Sequence, residues 1–349
     1  MHRSPRPSNV EIRADDPALT SHAGLLLTGE LAVRTDLVAR LDQAIDAVRP
    51  FKVRRRGCSG GELLVALAEL MAVGGDHLVH LDELREDEAG AELRAVGEVL
   101  APTTAGQLMR RLNACQCQAA VSELAKVGEE VDRQLGLTAA GPVTLDLDSF
   151  DSEVYGRRKQ GAAFNHRGQR CYDTQLATWA ERRRILAAEL RSGINEHPTA
   201  IKVLRRALKA LPAEHGPVRA RMDSGFESVA IFEELRRREV RFTCSLSRTP
   251  VLHRRRLEIP SRAWRPALQM PQAEIAETTY AHQGWRHEPL RLIVRRVRIP
   301  VEELSEDPRS RRRRTVPKAQ LELALAGRVE YLYAYSFFYS RTSRAEGVS

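Results

Sequence analysis

Two stretches that end in aspartate constrain the fold of this chain more than any other feature. Apolar and polar residues alternate in Val143-Thr-Leu-Asp-Leu-Asp148 and again in Val218-Arg-Ala-Arg-Met-Asp223. This period of two predicts β-strands with one buried face. Side by side in an open α/β sheet, they would bring Asp148 and Asp223 together at the carboxyl edge, where such sheets place ligand sites. Two close carboxylates repel each other unless a cation separates them, and hard oxygen ligands favour Mg²⁺ or Mn²⁺.

Each of these acids has an alternative explanation. Asp146 shares the polar face of its strand with Asp148 and is the alternate metal ligand. The position at the strand end favours Asp148. For Asp223, the alternative is a structural role as the cap of a helix that begins after Gly225.

Length and composition limit the class of protein. A chain of 349 residues favours two or three domains, and a net charge of +9 favours a polyanionic partner such as nucleic acid. No apolar run is long enough to span a membrane, and the N-terminus lacks the apolar segment of a signal peptide. We therefore expect a cytoplasmic protein without a membrane partner. The five cysteines form no C-x-x-C pair, which favours reduced packing thiols over disulfides or a zinc site.

Residues 1–140 are expected to form an all-α N-terminal domain. Its clearest signal is Ser59-Gly-Gly-Glu62, a capping box ahead of an apolar helix. A glycine-containing hinge at 136–142, after which the periodicity changes from helical to alternating, sets the boundary. The arginines predict a DNA-reading domain, although an all-α packing domain with solvated arginines remains an equal alternative. The DNA-contact candidates here are Arg54, Arg55, Arg56, Arg110 and Arg111.

Residues 141–246 are expected to form an α/β core. After the first aspartate strand, the pattern predicts a hairpin of two strands over 171–179 and 185–190, and then a helix that begins at Pro198. The second aspartate strand, a helix and the strand Arg241–Leu246 complete a βαβ unit. This order predicts a mixed sheet with helices on its faces.

Residues 247–330 differ because arginines cluster in them, and residues 331–349 begin with one more alternating core strand. The segment Leu290–Ile299 predicts a strand with one basic face. The favoured interpretation is a sheet-rich lobe whose arginines contact a phosphate backbone. The alternative is a solvated edge strand whose charges prevent pairing with another chain. The DNA-contact candidates in this segment are Arg254, Arg255, Arg256, Arg295, Arg296 and Arg298, and a further cluster spans 311–314.

Several of these motifs, in this order, resemble DDE transposases of bacterial insertion sequences. They are Leu145-Asp-Leu-Asp148, Lys159-Gln-Gly-Ala-Ala-Phe-Asn-His166, Leu190-Arg-Ser-Gly193 and Arg221-Met-Asp-Ser-Gly-Phe226. The resemblance implies a ribonuclease H-like catalytic fold with a β-rich insertion at 247–330 and a return to the core at 331–349. It also implies two bound Mg²⁺ ions, with Mn²⁺ as a substitute. The implied activity is cutting and rejoining double-stranded DNA between element terminal repeats and target DNA, by a homo-oligomer on nucleoid DNA. Asp148 corresponds to the first acid and Asp223 to the second.

The third acid of the family departs from the pattern. Relatives carry a glutamate on a helix after the insertion, whereas here the spacing of Tyr339, Arg341 and Glu346 does not fit. We therefore expect the chain to end before its third ligand, without Glu346 as a replacement. Three function classes stay open: an active transposase, a truncated and inactive relative that only binds DNA, and an unrelated metal-dependent phosphoesterase. The repeated arginines argue against the third class.

Overall fold

The structure is a computed structural model that describes residues 19–54, 56–156, 158–165, 167–191, 198–307, 310, 313 and 315–342, with Pro198 and Thr199 described by backbone only. The chain divides into two compact units, Met1–Val131 and Asp132–Ser349. The boundary expected near residue 140 lies shortly after this division. None of the helices in the described ranges has the length and apolar character that a membrane crossing requires.

The N-terminal unit is helical where it is described. A buried cluster that includes Leu41, Ile45, Leu63 and Leu81 forms its core. The capping box is present: the Ser59 side chain accepts from the Glu62 main chain, and the Glu62 side chain accepts from Ser59 N. The helices are α1 (Leu25–Arg34), α2 (Leu37–Val48), α3 (Gly60–Ala72), α4 (Leu81–Glu86), α5 (Pro102–Met109) and α6 (Ala114–Gln134), the last of which extends past the division.

Gly61 allows α2 and α3 to approach closely. A Cβ atom at this position would lie 2.2 Å from the carbonyl oxygen of Val38. Gly61 N donates to Asp42 Oδ1 at 2.7 Å. The close packing of α2 and α3 therefore requires glycine at position 61.

The second unit is built on one mixed sheet. Its described strands are β1 (Val143–Glu153), β2 (Ala163–Phe164), β3 (Arg170–Trp179), β4 (Arg184–Arg191), β5 (Val218–Met222), β6 (Arg241–Leu246), β7 (Arg265–Pro266), β8 (Ala273–Tyr280), β9 (Leu290–Pro300) and β10 (Tyr331–Ser340). The spatial order is β2-β3-β1-β5-β6-β10-β9-β8-β7, and β4 also pairs with β3. The helices are α7 (Pro198–Lys209), α8 (Val229–Arg237), α9 (Pro250–Leu257) and α10 (Lys318–Leu325).

The strand directions confirm the predicted mixed α/β architecture. β1, β3 and β4 are antiparallel neighbours, whereas β1, β5 and β6 run parallel. A hairpin followed by parallel crossovers is the arrangement of a ribonuclease H-like core. Leu145 and Phe242 from the strands pack with Leu204 of α7 and Phe232 of α8 in the main hydrophobic core. The strand order makes β1 and β5 neighbours in the interior of the sheet.

The arginine-rich segment continues this sheet. β10 pairs with both β6 and β9, so that β8 and β9 extend the core sheet at one side. The prediction of a single basic face on β9 is wrong. The Arg295 guanidinium lies 5.3 Å from the Phe338 ring, whereas that of Arg296 lies 4.6 Å from the Tyr333 ring. Because Phe338 and Tyr333 occupy opposite faces of β10, adjacent arginines on β9 do too.

Candidate active site

The parallel pairing of β1 and β5 brings the two predicted acids together. The register runs from Val143 opposite Val218 to Leu147 opposite Met222. Asp148 and Asp223 directly follow this last pair, and both are exposed. Since adjacent strands lie about 4.8 Å apart, their carboxylates share the carboxyl edge of the sheet.

Local hydrogen bonds orient both carboxylates. Asp223 Oδ1 accepts from Gly225 N at 2.8 Å, so this aspartate does cap the short turn Ser224–Phe226. Asp148 Oδ1 accepts from Ser149 N at 2.8 Å. Neither of these bonds uses the second carboxylate oxygen. Capping and metal binding by Asp223 are therefore compatible.

The pKa of Asp223 lies above its ordinary value. Although Asp223 is exposed by its accessible surface, partial desolvation of its carboxyl group is the main cause that raises the pKa, and the charge of Asp148 raises it further, against the hydrogen bond from Gly225. Cys244 Sγ lies 3.3 Å from the carbonyl oxygen of Asp223 and donates to it, which ties the end of β5 to β6. The edge thus holds two like charges without a compensating cation among the contacts described here.

Asp146, the alternate ligand, is engaged elsewhere. Both of its oxygens accept from Arg221, at 2.6 and 2.7 Å, in a bidentate ion pair across β1 and β5. This contact raises the pKa of Arg221. The ion pair thus uses both oxygens of Asp146, whereas the hydrogen bonds of Asp148 and Asp223 each use one.

A third ligand does not accompany the pair among the described residues. Within those ranges, one group of three potential ligands lies close enough together to hold an ion, namely Asp76, His77 and His80. It belongs to the N-terminal unit. Glu346 lies outside the described residues.

The arginines predicted to contact DNA in the N-terminal unit lie on its surface. Arg54 and Arg56 are exposed in the segment that precedes α3. Arg110 and Arg111 are exposed where α5 ends. Arg55 lies outside the described residues.

The arginines of α9 differ from one another. Arg254 is exposed, and Arg255 forms an ion pair with Glu258 at 2.9 Å. The guanidinium of Arg256 lies 4.1 Å from the centre of the Tyr335 ring. Arg256 therefore stabilises the packing of α9 on the sheet.

The arginines of β9 have structural partners. Arg296 forms an ion pair with Glu274 at 2.8 Å, and its guanidinium lies 4.1 Å from the Trp264 ring. Arg298 is exposed and lies 3.9 Å from the Tyr331 ring. Burial lowers the pKa of Arg295. The β9 arginines, which the sequence predicted to contact DNA, thus have partners within the protein.

Glu227, which the sequence analysis did not identify, stabilises the turn after Asp223. Its carboxylate accepts from Ser247 N at 2.6 Å and lies 3.0 Å from His282 Nε2. The His282 partner helps to lower the pKa of Glu227 against its burial, and the carboxylate raises the pKa of His282. Glu227 thus connects the turn that follows β5 with the end of β6 and the β8–β9 turn. The only sequence signal for this role was a glutamate just after the turn that follows Asp223. Its partners, Ser247 and His282, are too distant in the sequence to be recognised from a local pattern.

Comparison with a protein-family model supports the coarser part of the resemblance, a DDE transposase. Residues 3–306 match the family model described as Transposase DDE domain group 1. No curated protein matches the chain. A piggyBac transposase, solved by cryo-EM as a synaptic complex with hairpin DNA, aligns over 93% of this chain with 12% identity and a TM-score of 0.39. The alignment covers 62% of that transposase chain, so this protein spans less than two thirds of it. On the strength of the family match across most of its length, the chain belongs to the DDE transposase family, group 1.

Proposed function

We propose that this protein is a DNA transposase that hydrolyses phosphodiester bonds at insertion-sequence ends and joins them to target DNA. Asp148 and Asp223 are its catalytic acids, and they hold divalent metal ions. The observation that supports the proposal is the parallel register of β1 and β5, whose last pair, Leu147 and Met222, directly precedes these two aspartates.

The donor set fits a divalent metal. Two carboxylates supply hard oxygen ligands, which suit Mg²⁺ or Mn²⁺. The raised pKa of Asp223 reflects in part the repulsion from Asp148 that a cation would relieve. One oxygen of each carboxylate stays outside the local hydrogen bonds that orient it.

Phosphodiester hydrolysis and joining explain why the proposed site contains acids rather than a nucleophilic side chain. When bound, a pair of divalent ions stabilises the charge on the phosphoryl, attacking and leaving oxygens. Asp148 and Asp223 orient that pair, since both project from central strands of a packed sheet. A water molecule attacks in hydrolysis, and the freed 3′-hydroxyl attacks in joining, so the reaction needs no serine or cysteine nucleophile.

The proposal includes double-stranded DNA as partner and a homo-oligomer on that DNA, in the bacterial cytoplasm at the nucleoid. The net charge of +9 supports a polyanionic partner. Exposed arginines without a structural role described above are the best candidates for phosphate contacts. They are Arg54, Arg56, Arg110, Arg111 and Arg254.

The test is a strand-cleavage assay with end-labelled DNA from the borders of the element that encodes the chain, with Mg²⁺ or Mn²⁺. We expect Asp148→Ala and Asp223→Ala to abolish cleavage and joining. Asp146→Asn should keep activity because its partner is Arg221. Activity that survives in Asp148→Ala but not in Asp146→Asn would reverse the ligand assignment, and activity in both aspartate-to-alanine variants would refute the proposal.

A second function is favoured by the absence of a third ligand beside the acid pair in the described residues. In that case the protein binds DNA without cutting it. The same assay then shows salt-sensitive DNA binding, which Asp148→Ala and Asp223→Ala do not change, and no cleavage in any variant. In an active protein, loss of cleavage in Glu346→Gln would assign that residue as the third acid.

A further inference from the structure

Three arginines from distant parts of the second unit line one cleft. Arg236 lies in the last turn of α8, Arg286 follows Trp285 in the β8–β9 turn, and Arg341 follows β10. The cleft has a volume of about 600 Å³ and also includes His287 and Glu288. Arg236 begins the run Arg236-Arg237-Arg238, but Arg286 and Arg341 lie outside any arginine run, so no single run marks this cleft.

Packing holds the cleft in place. Trp285 is 7% exposed, and its Nε1 donates to the carbonyl oxygen of Glu288 at 2.9 Å. The His287 ring lies edge-on to Trp285, with 4.9 Å between centroids, and its Nε2 lies 2.9 Å from Glu233 Oε1. Packing and hydrogen bonds therefore fix the shape of the cleft.

The charges in this cleft do not balance. Three guanidinium groups face one lining carboxylate, that of Glu288, since Glu233 is engaged by His287. This excess of positive charge among the residues that line the cleft indicates an anionic ligand.

We propose that this cleft binds a phosphate group of the DNA backbone. Guanidinium groups match phosphate with paired N–H donors, and the net charge of the chain favours DNA as the source of that phosphate. This inference rests on the proposed function, since it assumes a DNA substrate.

The cleft is a separate contact from the acidic pair. Arg341 N donates to the carbonyl oxygen of Phe242 at 3.0 Å, near the start of β6. Asp223 instead follows Met222, which pairs with Cys244 further along β6. Phe242 and Cys244 are two residues apart, which is about 7 Å along the strand. A duplex bound at the acidic pair and at the cleft would therefore contact the protein at a second phosphate besides the one that is cleaved.

The experiment measures fluorescence anisotropy of a labelled duplex of arbitrary sequence with the full chain over a series of KCl concentrations. The cleft variant is Arg286→Gln with Arg341→Gln. The matched control is Arg262→Gln with Arg265→Gln, which removes two exposed arginines elsewhere in the same unit. We expect the salt slope of the cleft variant to fall by about 1 to 2 and its binding to weaken about tenfold, with a smaller change in the control.

The possible results separate this inference from the proposed function. A wild-type protein that binds the duplex, with an equal salt slope in the cleft variant, overturns the cleft alone. Equal losses in the cleft and control variants also overturn it, because they reflect general charge. A wild-type protein that does not bind the duplex overturns both. Circular dichroism checks folding, and the single Arg286→Gln variant, at an exposed position, decides the matter if the double variant is unfolded.

Discussion

Replacing Asp148 with asparagine should stabilise the protein when metal is absent. Asparagine keeps an oxygen that can accept from Ser149 N, so the local hydrogen bond is retained. It removes the negative charge that contributes to the raised pKa of Asp223. A substitution at a proposed catalytic position is thus expected to raise the free energy of unfolding rather than lower it.

The magnitude follows from the strand geometry. Unit charges on adjacent strands, about 5 Å apart, repel by about 0.8 kcal/mol at the dielectric constant of water. Because both side chains are exposed, this screened value applies, and we expect a gain of about 1 kcal/mol. The melting temperature of the second unit should rise by about 2 to 4 °C. A raised carboxyl pKa costs stability only where the group is ionised, so the gain is present at neutral pH and disappears as Asp223 becomes protonated.

Thermal unfolding in EDTA at neutral pH tests this expectation. Asp146→Asn is the matched control, since it makes the same chemical change two residues earlier on β1 but breaks the ion pair with Arg221. It should lose up to about 1 kcal/mol. Added Mg²⁺ should stabilise the wild-type protein and have little effect on Asp148→Asn. A lower melting temperature for Asp148→Asn in EDTA, or an equal response to Mg²⁺, would refute the reasoning.

Two other predictions concern residues that support the site. The raised pKa of His282 means that its pairing with Glu227 is fully stabilising below the unfolded value, about 6.5, and weakens as the pH rises through the folded value. Glu227→Gln should therefore flatten the dependence of stability on pH near neutrality, as urea midpoints at several pH values would show, and an unchanged dependence would contradict the pairing. Arg296→Met should lower the free energy of unfolding by about 1 to 2 kcal/mol, because it removes an ion pair and two ring contacts. The same variant should keep the salt slope of DNA binding, and a reduced slope would instead support a phosphate contact at Arg296.

Local sequence patterns were enough to predict the main elements of the fold. Alternation predicted β1 and β5, because strand side chains point to opposite faces in turn. The pair Ser59 and Glu62 predicted the start of α3, since a capping box depends on residues three apart. The hairpin of β3 and β4 was also predicted from alternation and an intervening turn.

Helices with weaker patterns were missed. α9 is short, begins at Pro250 and carries three consecutive arginines, which favoured DNA contacts in a sheet-rich lobe rather than a helix. Arginine does not disfavour helix, but it hides the apolar periodicity that sequence reasoning relies on. The buried Leu252 is the residue that anchors this helix, and its burial depends on the sheet beneath it.

The sequence by itself determined that two alternating stretches would be strands and that β5 would end just before Asp223, since alternation and turn residues act over a few positions. The prediction that Asp148 ends its strand is wrong, because pairing with β3 continues β1 to Glu153. Tertiary structure decided everything that depends on pairing between distant segments. The register of β1 and β5 assigned Asp146 to Arg221 and left Asp148 beside Asp223. Alternation along β9 already places the adjacent Arg295 and Arg296 on opposite faces, whereas only the packed tertiary structure brings three distant arginines into one cleft. Side-chain partners more than a few residues apart are chosen by register and packing, which no local pattern encodes.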